Sequence, residues 1–290
     1  MGPLPKLSSS SPTVAVAFGG GGARGLAHVH IIEALDELGI RPVMISGSSI
    51  GAIMGAGMAA GMAGNDIRQF ILNTVGNKRE VMNRIWSLRP MTIQEMMSNG
   101  FRVGQFNLER ILKAFLPEEL PESFEELQIP FSVAATDYYG QSELAIGSGE
   151  LIRALAASAA IPAVFMPVRL NGRVMIDGGI FNPVPIDHLV GKADIIVGVD
   201  VVGGPEGEDQ QIPNRIDSLF GASQLMMQSI ISEKLMRHSP DIFLRPNVGK
   251  FKALDFLHAA EVLEISAAIK DDFKRALEVQ IAFRTKTAIE

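Results

Sequence analysis

Two glycine-rich segments and one serine open the chemical reading of this chain. Gly47-Ser48-Ser49-Ile50-Gly51 is a G-x-S-x-G pentapeptide, and Gly19-Gly20-Gly21-Gly22-Ala23-Arg24-Gly25 is a glycine loop lying upstream of it. In G-x-S-x-G the flanking glycines, Gly47 and Gly51, permit a sharp turn between strand and helix, so the central serine stands with its hydroxyl at a helix N-terminus. Ser49 is the candidate nucleophile. A glycine run ahead of a helix turns backbone N–H groups outward, and such donors suit the oxyanion of a tetrahedral acyl intermediate. Together the two segments fit acyl transfer to a serine.

The serine needs a base. Asp177, which closes a strand and precedes Gly178-Gly179, can reach the same sheet edge as Ser49 with little side-chain bulk around it. A carboxylate is a weaker base than histidine unless burial lifts its pKa towards the working pH. His28 and His30 fall inside a predicted helix, His238 follows one and His258 precedes one. Those are ordinary places for structural histidines. His188 stays as the reserve base.

A nucleotide site is the main competing reading, because Gly20 to Gly25 satisfies G-x-G-x-x-G. A dinucleotide fold also needs an acid at the end of the second strand, where Ser46 to Ser49 stand instead. A P-loop needs Lys then Ser or Thr after its last glycine, and Leu26 follows Gly25. Arg24 either orients the loop, counters negative charge, or caps neighbouring carbonyls.

The elements that must hold these groups follow from periodicity. Val14–Phe18 reads as a strand buried on both faces, Gly25–Leu38 as a helix stopped by Gly39, and Val43–Ser46 as a second strand leading into a helix from Ile50. Two such strand-loop-helix units run parallel, which sets both loops at one carboxyl edge. Residues 76–102, with five basic side chains, Trp86, Met96 and Met97, read as a helical cap; it either packs on the body or meets an anionic lipid surface with its arginines. Further strands are expected at Phe131–Thr136, Ser142–Ile146, Val174–Ile176, Ile195–Val201 and Ile242–Leu244. Helices are expected at Leu108–Phe115, Leu151–Ala157, Ile216–Arg237 and, as one amphipathic element, from Ala259 onwards. The alternation predicts an α/β fold, a three-layer α/β/α sandwich on a mostly parallel sheet.

Composition narrows the classes. With 290 residues and 47% hydrophobic side chains the chain can bury one large core, so residues 13–290 are expected as a single catalytic domain behind a disordered tail at 1–12. A net charge of −6 without a long basic tract argues against a nucleic-acid partner, and the absence of cysteine removes disulfides and thiolate metal sites. Pro42–Gly64 is uncharged and as long as a membrane span, but its six glycines and its division into strand plus helix favour a buried element. The expected location is cytoplasmic, with peripheral contact at a membrane surface.

Gly20-Gly21-Gly22-Ala23-Arg24-Gly25, Gly47-x-Ser49-x-Gly51 and Asp177-Gly178-Gly179, in this order, resemble the patatin-like phospholipase family. Ala134-Ala135-Thr136-Asp137, Ser158-Ala159-Ala160-Ile161-Pro162 and Asn182-Pro183-x-Pro185 are similar to its pattern as well. The likeness runs from about Val14 to Val201 and is loose over the last ninety residues. It implies a Ser49/Asp177 dyad without histidine, an oxyanion hole from Gly21 and Gly22, lipid acyl esters as substrates, and no metal or other cofactor. A non-catalytic member that binds a lipid or a protein partner is the alternative within the same fold.

Overall fold

The computed structural model describes residues 11–87, 107–205 and 212–287. Its strands are β1 (Val14–Phe18), β2 (Met44–Ser48), β3 (Phe131–Asp137), β4 (Ser142–Ile146), β5 (Val168–Leu170), β6 (Arg173–Ile176), β7 (Ile195–Val199) and β8 (Ile242–Leu244). They form one sheet in the order β5-β6-β3-β2-β1-β7-β8, with β4 on the other edge of β3. The run β3-β2-β1-β7-β8 is parallel, whereas β4, β5 and β6 pair antiparallel. The helices are α1 (His28–Glu37), α2 (Ile50–Ala59), α3 (Gly64–Thr74), α4 (Lys78–Ser87), α5 (Leu108–Phe115), α6 (Leu151–Ser158), α7 (Arg215–Arg237), α8 (Ala259–Ile265) and α9 (Ile269–Thr287).

Strand β1 shows how the layers form. All five of its residues are buried, Val14, Val16 and Phe18 in the large core with α1, α2 and α9, and Ala15 and Ala17 in a smaller core with Val184, Ile186, Leu189 and Ile231 of α7. A strand covered on both faces has no polar side to show, hence its continuous apolar run. The fold is the expected three-layer α/β/α sandwich.

Several bounds differ from the periodic reading, each for a local reason. The helix expected from Gly25 opens earlier, as a 3-10 turn over Gly22–Ala27 that becomes α-helical only at His28. The strand expected to end at Ser46 runs on to Ser48, because its pairing with β3 carries through Gly47 and Ser48. The single helix expected from Ala259 is two: Ser266 turns its hydroxyl back to the Val262 carbonyl at 2.6 Å, and the next amides bond three residues back. Such back-bonding competes with the helical ladder. In the cap region α4 packs on α5, where the Arg84 guanidinium donates to the Ala114 carbonyl, pairs with Glu80 and lies over the Phe70 and Phe115 rings. The rest of the expected cap, with Met96 and Met97, lies outside the described residues, as do residues 1–10 of the expected tail.

The uncharged stretch Pro42–Gly64 is β2 followed by α2, a helix with nine of its ten residues buried. No described helix is long and apolar enough to cross a membrane.

Candidate active site

The sheet brings Ser49 and Asp177 together end to end. Along one edge of β3, β2 is paired as far as Ser48 beside Ala134, and β6 comes from the opposite direction as far as Ile176 beside Thr136. β4 occupies the other edge over the same residues. The C-terminal ends of two antiparallel strands therefore face each other across Ala135, and the residue that follows each strand turns into the gap. Side-by-side parallel strands are not needed to explain the meeting. The Ser49 hydroxyl donates to Asp177 Oδ2 at 2.7 Å, and both side chains are almost fully buried.

Ser49 itself carries the strain of the elbow, with φ 53° and ψ −123°. A non-glycine residue in that region is held there by its surroundings at a cost of about 1–3 kcal/mol. The flanking glycines serve close approach rather than dihedral freedom. A Cβ on Gly47 would lie 2.6 Å from the Ala52 Cα, and one on Gly51 would lie 2.1 Å from the Phe18 carbonyl oxygen. The Ser49 N–H donates to Ser158 Oγ at 2.8 Å, and the Ser158 hydroxyl donates to the Ala134 carbonyl at 2.6 Å. Ser158 at the end of α6 thus ties the strained turn to β3. Chemical pattern alone gave this serine no role, because a hydroxyl holding a backbone amide from a distant helix leaves no spacing signal.

Asp177 is fixed at both ends. Its backbone carbonyl accepts from Thr136 Oγ1 at 2.8 Å, and its Oδ1 accepts from the Gly179 N–H at 2.8 Å. Burial raises its pKa to about 6, opposed by the hydrogen bonds from Ser49 and Gly179. A carboxylate taken out of water without a cation beside it is a stronger base than a free one.

The glycine loop lies against the pair. A Cβ on Gly20 would sit 3.2 Å from the Ser49 Cβ, and Gly25 and Gly178 are tighter still, at 2.2 Å from Ile50 Cγ2 and 2.1 Å from the Ala134 carbonyl oxygen. Gly19, Gly20 and Ala23 spend their N–H groups on the carbonyls of Val199, Pro183 and Ala253. The N–H groups of Gly21 and Gly22 meet no acceptor among the described residues. Gly22 has φ 62°, and a side chain there would strike Ala253. Arg24 is buried and its Nε donates to the Gly21 carbonyl at 3.1 Å, a contact of the carbonyl-capping kind among its three readings. His28 supports the same loop, its Nε2 lying 2.8 Å from the Gly19 carbonyl and its ring packed edge-on to Phe18. Full burial lowers its pKa to about 4, so the imidazole is neutral.

His188, the reserve base, does not join Ser49. Its Nδ1 lies 2.9 Å from Ser132 Oγ and its Nε2 2.6 Å from Glu143 Oε1. Asp187 completes this second cluster with the Lys234 ammonium at 2.8 Å and the Asn182 amide at 2.8 Å. Glu143, Asp187 and His188 are close enough to share a cation, but the Lys234 ammonium already lies beside both carboxylates.

Two hollows meet at Ser49. One is a crevice of about 110 Å³ that also touches Gly20, Gly21, Arg24, Asp177 and the Leu219–Met227 face of α7. The other is a cavity of about 390 Å³ lined by α2, α3, α5 and the 254–257 turn, in which Ser49 is the only polar side chain among the described residues.

The family described as patatin-like phospholipase matches residues 16–190 of this chain. An uncharacterized NTE family protein of Mycobacterium tuberculosis is 36% identical over 201 residues, covering 69% of this chain and 52% of the relative. Lysophospholipase NTE1 of Yarrowia lipolytica is 23% identical, covering 88% of this chain and 19% of the relative. The chain spans about half the length of the first of these relatives and less of the second. Among solved structures, VipD from Legionella pneumophila aligns with a TM-score of 0.49 at 16% identity, covering 91% of this chain and 68% of that one.

Proposed function

The chain belongs to the patatin-like phospholipase family, and from that premise we propose that it is a lipid acyl hydrolase in which Ser49 and Asp177 form the catalytic pair. The observation that carries this reading is the buried 2.7 Å hydrogen bond from Ser49 Oγ to a carboxylate whose pKa is raised to about 6. Asp177 accepts the hydroxyl proton as Oγ attacks the ester carbonyl carbon. The N–H groups of Gly21 and Gly22, which meet no acceptor among the described residues, hold the developing oxyanion, and each such donor is worth about 3 kcal/mol in the transition state. As the tetrahedral intermediate collapses, the ester C–O bond breaks and Asp177 returns the proton to the leaving alcohol. Water then attacks the acyl-serine by the same route and releases the fatty acid.

The apolar cavity beside Ser49 supports an acyl chain as the buried part of the substrate. The head group then lies towards the crevice that contains Arg24 and α7. The lysophospholipase activity in the name of the Yarrowia lipolytica relative supports the same substrate class. No group in this scheme calls for a metal or another cofactor.

Fluorophosphonate labelling read by intact mass tests the reading. One adduct is expected on the wild-type protein and none on Ser49→Ala, with hydrolysis of a phospholipid and of a short aryl ester lost in that variant. A folded wild type that takes no label and cleaves neither ester would sink the enzyme reading and favour a non-catalytic lipid-binding member.

A further inference from the structure

The apolar cavity has a direction. It follows the face of α2 formed by Ile50, Ile53, Met54 and Gly57, a helical spacing that begins beside the nucleophile. α3 doubles back after α2, so its last turn lies on the glycine-loop side, where Gly76 approaches Ala259 of α8, while Ile67 in its first turns meets Gly57. The cavity is therefore open to the chemistry at the Ile50 end and bounded at the Gly57 end. A Cβ on Gly57 would lie 3.3 Å from Ile67 Cδ1 and 3.7 Å from Met62 Sδ. With no side chain at position 57, Ile67 and Met62 pack directly onto α2 and close this end.

Resting on the acyl-hydrolase reading above, we propose that Gly57, Met62 and Ile67 form the end wall that sets the longest acyl chain the site accepts. Eight residues at about 1.5 Å of rise place Gly57 about 12 Å from Ser49 along the helix axis. An extended chain covers that distance in about ten carbons. Medium-length acyl groups fill the cavity, and longer ones must bend or leave methylenes in water. Each methylene lodged in the cavity favours binding by about fourfold, so the wall is visible as a break in a chain-length series.

The experiment is displacement of a bound fluorescent fatty acid by saturated acids from hexanoic to stearic, on the wild type, Gly57→Leu and Met62→Ala. Affinity is expected to climb with each methylene and then level off. Gly57→Leu moves the break to shorter chains, and Met62→Ala moves it to longer ones. These opposite shifts are not produced by a general loss of packing, and thermal melts identify any variant that does not fold. A shift in the stated direction in either folded variant supports the wall. A wild type without a break, or breaks that stay put or move the other way in the folded variants, overturns it. Binding requires no turnover, so an intact ladder beside absent hydrolysis would refute the catalytic reading while leaving the wall in place.

Discussion

Asp177 and Asp187 stand ten positions apart on one connecting segment, the first buried and the second half-buried, and their surroundings pull them in opposite directions. Among the described residues the Asp177 carboxylate accepts from the Ser49 hydroxyl and the Gly179 amide, and burial lifts its pKa to about 6. Asp187 is also penalised by burial, but the Lys234 ammonium and the Asn182 amide outweigh this and hold its pKa below the usual value. The difference is the cation. A buried carboxylate with no cation can take and return a proton near neutral pH, whereas one facing an ammonium is locked in its charged form and serves as an anchor.

Removing the charge at Asp177 breaks the comparison most severely. Asp177→Asn should lower kcat/KM by about 10⁴-fold, the size seen when a catalytic base or its partner is neutralised. The same substitution should stabilise the protein at pH 8. The folded pKa lies above the unfolded 3.8, so the stability this group contributes is full below about pH 4 and is lost as pH rises through about 6. The asparagine is spared that loss, worth about 3 kcal/mol at pH 8, and the two melting curves should converge towards pH 4. In the wild type, kcat/KM should fall on acidification through about pH 6. Equal stabilities at pH 8 would mean that Asp177 is not held as an unpaired buried acid.

How far the sequence reveals this contrast depends on the kind of signal each group leaves. Ser49 and Asp177 are legible because their turns need glycine neighbours: the approaches at Gly47, Gly51 and Gly178 leave no room for a side chain. The layers are legible because β1 is covered on both sides. The antiparallel approach of β6 is not, since a strand of four residues carries no preferred direction in its sequence, and only its pairing with β3 supplies one. Nor is the anchor cluster: Glu143, Asp187, His188 and Lys234 come from three separate elements, so no spacing announces them. His188 attracted attention as a base because a lone histidine shows its chemistry in the sequence and its partners only in space.

Ser158→Ala sharpens the catalytic side of the comparison without touching either carboxylate. It leaves the buried Ser49 N–H and the Ala134 carbonyl without their shared partner, at a cost of about 1–3 kcal/mol. Part of that cost falls on the strained elbow, so kcat should drop by about tenfold with KM little changed. Ser158→Thr, which keeps the hydroxyl, should restore most of the rate. The acid limb near pH 6 should stay in place, because Asp177 keeps its own contacts. A lost rate that threonine does not restore would reduce Ser158 to packing.

Lys234→Met reaches the anchor side, with the smallest effect. Lys234 and Asp187 are each about a quarter exposed, at 21% and 27% of the side chain, so solvent screening limits their pairing and the expected destabilisation at pH 7 is about 1–2 kcal/mol. Asp187 has a depressed folded pKa, so the stability it contributes is present above its unfolded pKa and is lost as pH falls through the folded value. The gap between wild type and Lys234→Met should accordingly be widest near neutral pH and close on acidification, the same direction as the Asp177→Asn gap but with the variant now the less stable protein. Catalysis supplies the decisive readout. If the two aspartates are separate devices, kcat/KM and its acid limb near pH 6 should match the wild type wherever the variant is folded. An acid limb displaced in Lys234→Met would mean that the ammonium is felt at Asp177 through the segment joining them, and that the cation tunes the base as well as pinning its neighbour.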